Sequence, residues 1–81
     1  MDSTSHKVVC PRCIQDWLQQ VRLVQLGVMA VLCPECEALW VDSAPSAQTF
    51  QDYATYMRAR GRARPDDPAE LEFVGSFTIA Q

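Results

Sequence analysis

The chain has 81 residues, a formal net charge of −3 and four cysteines; 48% of its residues are hydrophobic and 21% are charged. This composition excludes wholesale disorder, and the length allows a single domain of marginal stability, since a chain of this size buries only roughly 60% of its unfolded surface. No run approaches the roughly 18 apolar residues of a membrane span, and an acidic balance disfavours nucleic acid and favours a basic partner.

Residues 1–7 read as a disordered tail. The stretch from Met1 to His6 is polar and no apolar segment follows it, so no secretory signal is expected and the cytoplasm, where thiols stay reduced, is the expected compartment. The next unit, residues 8–42, opens with Val8-Val9-Cys10-Pro11-Arg12-Cys13. Its near-repeat is Val31-Leu32-Cys33-Pro34-Glu35-Cys36.

Two readings fit the stretch from Ile14 to Leu32. As a hairpin, Trp17 to Val24 and Val28 to Leu32 are strands joined at Gln25-Leu26-Gly27, with Trp17, Val21 and Leu23 on one face and Gln20 and Arg22 on the other. As a helix, Ile14, Trp17, Leu18, Val21 and Val28 fit a 3.6-residue period. The hairpin is favoured because it returns the chain to its start, where the two Cys-Pro-x-Cys turns can meet. Ala38 to Val41 reads as a third strand.

Residues 43–61 are expected to carry the helix. Asp42 to Ser46 has turn chemistry, Ser43 or Ser46 is a candidate cap, and Phe50, Tyr53, Ala54 and Met57 make an apolar stripe within Ala47 to Arg60. Gly61 suits a left-handed C′ position, and Arg58 and Arg60 complement the negative helix end. Residues 62–81 are expected to form a polar loop and a final strand. Asp67-Pro68-Ala69-Glu70 resembles a capping box, and Phe73, Phe77 and Ile79 share one face of the strand.

The four cysteines follow the spacing C-x2-C-x19-C-x2-C, which is that of a four-thiolate zinc site. Zn²⁺ takes four soft donors at tetrahedral corners, and each Cys-x-x-Cys bend offers two. Proline after the first cysteine fixes φ and helps set the bend. Cys10, Cys13, Cys33 and Cys36 are therefore the expected ligands of one structural zinc ion, worth on the order of 10 kcal/mol to a marginal core. Four thiolates with one Zn²⁺ take the formal −3 to −5. Iron, a redox dithiol and two disulfides are the competing readings. Rubredoxin-like iron knuckles usually carry Gly next, where Ile14 and Glu37 stand here, and redox chemistry needs a single motif at a helix start. His6 is expected to be a tail residue and not a ligand.

The stretch from Cys33 to Asp42, Cys-Pro-Glu-Cys-Glu-Ala-Leu-Trp-Val-Asp, resembles the bacterial zinc ribbons related to transcription factor IIB. The likeness covers residues 8–42. It implies a ribbon fold, the same four cysteine ligands, and Trp40 as the aromatic packed near the ion; Ala38 stands where Gly is usual. The whole-chain layout is also similar to small bacterial zinc-ribbon proteins of the toxin-immunity kind, which implies a protein partner.

The fold expected is thus small α+β: a zinc ribbon of hairpin plus third strand, one amphipathic helix, and a short C-terminal strand. Trp17 and Trp40, with Phe50, Tyr53 and Met57, are expected in the core. Arg58, Arg60, Arg62 and Arg64 form a basic cluster, and Asp66, Asp67, Glu70 and Glu72 an acidic one. No nucleophile stands beside a base and no glycine-rich phosphate loop exists, so a non-enzymatic protein is expected. The function expected is a protein-binding module, an inhibitor or immunity protein for a basic partner such as a toxin. A nucleic-acid or transcription-machinery ribbon using the arginines is the alternative.

Overall fold

A computed structural model of the chain describes residues 5–41, 44–61 and 70–80. The central element is the hairpin. Strand β2 (Gln19–Leu23) pairs antiparallel with β3 (Val28–Leu32), around a turn in which Gly27 takes φ +67. Burial alternates along both strands: Val21, Leu23, Ala30 and Leu32 are buried, while Gln20, Arg22 and Met29 are exposed. A period of two decides the sequence ambiguity in favour of strand, because a helix would have buried neighbours three and four apart.

The expected third strand is β4 (Ala38–Trp40), paired with β3 through Val31↔Trp40 and Leu32↔Leu39. A two-residue strand, β5 (Gln51–Asp52), extends the sheet beyond β4, and β6 (Leu71–Ser76) closes its other side against β2. The resulting order is β5-β4-β3-β2-β6. Pairing shifts register between Gln20 and Val21, leaving Val74 as an extra residue in β6.

Each face of the sheet carries an apolar cluster. Val21, Leu23, Ala30, Leu32 and Leu39 project to one side and pack with Tyr53, Tyr56 and Met57 of the helix. The alternate positions, Leu18, Val31, Cys33, Ala38 and Trp40, belong to a second cluster with Cys10, Phe50 and Phe77. Trp40 is 1% exposed and its Nε1 donates to the Ser46 carbonyl at 3.0 Å, so its polar edge is satisfied.

Four expectations need correction. Ser5–Lys7, placed in a disordered tail by the sequence, forms strand β1 and pairs with β7 (Thr78–Ala80); residues 1–4 lie outside the described part. The C-terminal strand is two strands, broken at Phe77, whose N–H donates to the Leu18 carbonyl. Phe73 is half exposed, and the Ile79 side chain is not described. The helix α1 spans only Tyr53–Ala59, starting later than expected. Asp52 is its cap: the carboxylate accepts from the Thr55 N–H and hydroxyl at 3.0 Å, which holds its pKa below the ordinary value. Gln51 and Asp52 are drawn into the sheet, where Ala38 faces Asp52 and Leu39 faces Gln51. Ser46 stabilises a local turn instead, accepting from the Gln48 N–H. Ser43 and residues 62–69, including Arg62, Arg64 and most of the suggested capping box, lie outside the described residues.

The fourth correction concerns Trp17, which is 49% exposed. It precedes β2 and bridges Val9 in a single pair. Gly61 does take the expected left-handed conformation after the helix, with φ +80. The two tryptophans should separate sharply on truncation. Trp40→Ala is expected to cost about 3–5 kcal/mol in urea unfolding of the metal-loaded protein, and Trp17→Ala less than about 1 kcal/mol. Equal losses would contradict this packing.

Candidate metal centre

The two Cys-Pro-x-Cys segments fold into the same turn twice. In the first, the Ile14 N–H donates to the Cys10 carbonyl at 3.0 Å; in the second, the Glu37 N–H donates to the Cys33 carbonyl at 2.8 Å. The leading sulfur of each accepts from the backbone two and three residues on, Cys10 from Arg12 and Cys13, and Cys33 from Glu35 and Cys36. Such N–H groups aimed at sulfur offset part of a thiolate's charge. The sequence repeat is therefore a structural repeat.

Each turn ends on a residue with positive φ, Ile14 at 55 and Glu37 at 63. This conformation favours glycine and costs an L-residue roughly 1–2 kcal/mol. The lack of Gly at these positions, which the sequence argument set against iron, therefore loses its force: the backbone adopts the glycine-like geometry without the glycine.

The hairpin brings the turns face to face. Cys10 Sγ lies 3.7 Å from Cys36 Sγ, and Cys13 Sγ lies 3.6 Å from Cys33 Sγ. All four sulfurs fall within 4.8 Å of one another. Sulfurs about 2.3 Å from a tetrahedral ion stand about 3.8 Å apart, so the cluster has the span of a single four-thiolate site. A disulfide needs about 2.05 Å, and all four cysteines are free. The redox reading also fails on context, because neither motif opens the helix, which begins at Tyr53. Among the described residues this is the one grouping of His, Cys, Asp and Glu side chains able to hold a metal. His6 lies in β1 and is not part of it.

Cys10 and Cys33 are fully buried, whereas Cys13 and Cys36 are partly exposed. For the metal-free thiols, burial pushes Cys33 up to about 12 and also raises Cys36. Burial opposes ionisation of Cys10 too, but its backbone donors and neighbouring thiols outweigh that and lower its pKa. The cluster thus resists full ionisation unless a cation enters.

Arg12, which sequence reasoning left without a role, and Phe50 and Tyr53, which it placed on a helix face, complete the surroundings. Arg12 reaches from the first turn to the second, its Nη1 3.3 Å from the Cys36 carbonyl, and its guanidinium lies 4.2 Å from the centre of the Phe50 ring. No sequence signal beyond a cation inside a cysteine turn marks this contact. Behind the second turn, the Tyr53 N–H donates to the Glu37 carbonyl at 3.0 Å, joining the helix start to the site. Only Arg58 and Arg60 of the expected arginine cluster are among the described residues. Arg60 stacks on Tyr56 of its own helix at 3.6 Å, and Arg62 and Arg64 lie outside the described residues. No helix among the described residues is long and apolar enough to cross a membrane.

The thiol shifts give a direction for pH. The protons that Cys33 and Cys36 hold at neutral pH must leave when a metal binds, so affinity should rise with pH and fall in acid. Calorimetry in buffers of different ionisation enthalpy should find two or more protons released per zinc at pH 7; release of none would contradict the site. Comparison with protein-family models, with curated proteins and with solved structures finds no match to this chain.

Proposed function

We propose that this chain is a non-enzymatic structural-zinc protein of the ribbon type related to transcription factor IIB ribbons, and that it works as a protein-binding module. The observation that carries the zinc reading is the convergence of four sulfurs to within 4.8 Å. Four thiolates fill a tetrahedron, leaving no open position for substrate or water, so the ion's role is structural and not catalytic. A soft all-sulfur set suits zinc, and the same geometry takes iron, so the metal's identity is an experimental question.

The binding reading draws support from two properties. The chain is acidic, which steers it toward basic surfaces. It also exposes Ile14, Trp17, Met29, Phe73 and Val74, apolar side chains available to a partner. Together with small size, these suit an inhibitor or immunity protein that covers a basic partner such as a nuclease toxin in a reducing cytoplasm.

Two measurements test this reading. Elemental analysis of purified, colourless protein should give one zinc per chain, and a strong chelator should abolish its circular dichroism signature; a red, iron-containing protein would replace the zinc reading. Purified protein should then bind and neutralise a toxin encoded beside its gene. Absence of any such effect would remove the immunity role, and salt-sensitive binding to nucleic acid would favour the alternative.

A further inference from the structure

We propose that Arg12 and Phe50 form a latch over the metal centre that sets how slowly the ion is lost, with Arg12 as a positioning residue that ties one cysteine turn to the other. The inference deepens the structural-zinc reading and rests on it.

Four thiolates around Zn²⁺ carry a net charge of −2, which attracts protons and competing chelators; nearby donors and cations hold such a centre together. Arg12 contributes twice. Its backbone N–H donates to Cys10 Sγ at 3.3 Å, within its own turn. Its side chain crosses to the opposite turn and donates to the Cys36 carbonyl at 3.3 Å. The same guanidinium rests 4.2 Å from the Phe50 ring centre. Phe50 in turn packs against the cluster of Cys10, Cys33 and Trp40, where the partly exposed Cys13 and Cys36 also lie.

One residue therefore touches both halves of the site and the segment that leads into α1. The other arginines with described contacts are engaged elsewhere: Arg22 pairs with Glu72, and Arg60 lies over Tyr56. Release of the ion requires the two turns to part, because each holds two of its ligands. Parting them breaks the Arg12 bridge and uncovers the Phe50 ring. Removing the latch should therefore speed release although no ligand has changed.

The test follows transfer of zinc from the loaded protein to an excess of a chromophoric chelator. Arg12→Gln should release zinc about 10-fold faster or more, the range typical of partners that orient metal ligands. Arg12→Lys should recover part of the loss by restoring the charge, Phe50→Leu should fall between wild type and Arg12→Gln, and Arg22→Gln should behave as wild type. Raising salt should speed release from wild type and narrow its gap to Arg12→Gln, since charge interactions are screened over about 8 Å at physiological ionic strength. Circular dichroism before chelator addition establishes that each variant is folded; if Arg12→Gln is not, Arg12→Lys and Phe50→Leu carry the test. Zinc release from folded Arg12→Gln, or from Phe50→Leu, that stays within about twofold of wild type overturns the latch. A wild type that takes up no zinc fails at the earlier step and overturns the zinc reading itself.

Discussion

The structure depends on two backbone turns, far apart in sequence, presenting their sulfurs to a common point. Cys10 meets Cys36 at 3.7 Å and Cys13 meets Cys33 at 3.6 Å, so each close approach crosses from one turn to the other. A domain of this length has a small core on each face of one sheet, and neither face has depth to spare. A metal bound by four thiolates contributes on the order of 10 kcal/mol, comparable with the whole net stability of an ordinary domain. The protons held on Cys33 and Cys36 without a cation show the other side of this dependence. Gathering four sulfurs, two of them fully buried, is tolerable as neutral thiols or as metal thiolates, and poor as bare anions.

From that point the remaining architecture follows by short connections. The hairpin between the turns is the sheet's centre, and β4 leaves the second turn directly. The Glu37 carbonyl then receives the first helical N–H of α1 at Tyr53, while Ala38 and Leu39 pair with Asp52 and Gln51. The helix is thus anchored to the same turn that supplies two ligands. The C-terminal segment adds β6 to the open side of β2, and the Arg22–Glu72 pair across it is exposed and contributes little. Ser5–Lys7 and Thr78–Ala80 pair in the β1–β7 ribbon.

Much of this was legible in the residues. The four cysteines declare their site through spacing, because two tight bends can fill a tetrahedron in few ways. Local pattern at Trp17 to Val24 fits helix and strand alike, and the need for the two cysteine turns to meet favoured the hairpin; Trp40 next to the second turn gave the buried aromatic. What stayed hidden was tertiary. Phe50, Tyr53 and Met57 fit a helical period, yet pairing with β4 takes Gln51 and Asp52 into the sheet and the helix begins only afterwards. Tyr56, absent from the expected stripe, is buried with Tyr53 and Met57. Trp17 looks like core by hydrophobicity but is 49% exposed. Strand β1 could not be read from Ser5-His6-Lys7, whose order comes from its partner at the other end of the chain. The positive φ of Ile14 and Glu37 was equally invisible, since the residue types argue against it.

The functional account places the metal in support of shape and leaves recognition to the surface of an acidic chain. Everything in it requires that sulfur alone surrounds the ion. X-ray absorption at the metal edge of the purified protein measures this directly. The account predicts a shell of four sulfurs at about 2.3 Å and no nitrogen or oxygen donor. A mixed shell, or a well-folded protein with no bound metal, would contradict it.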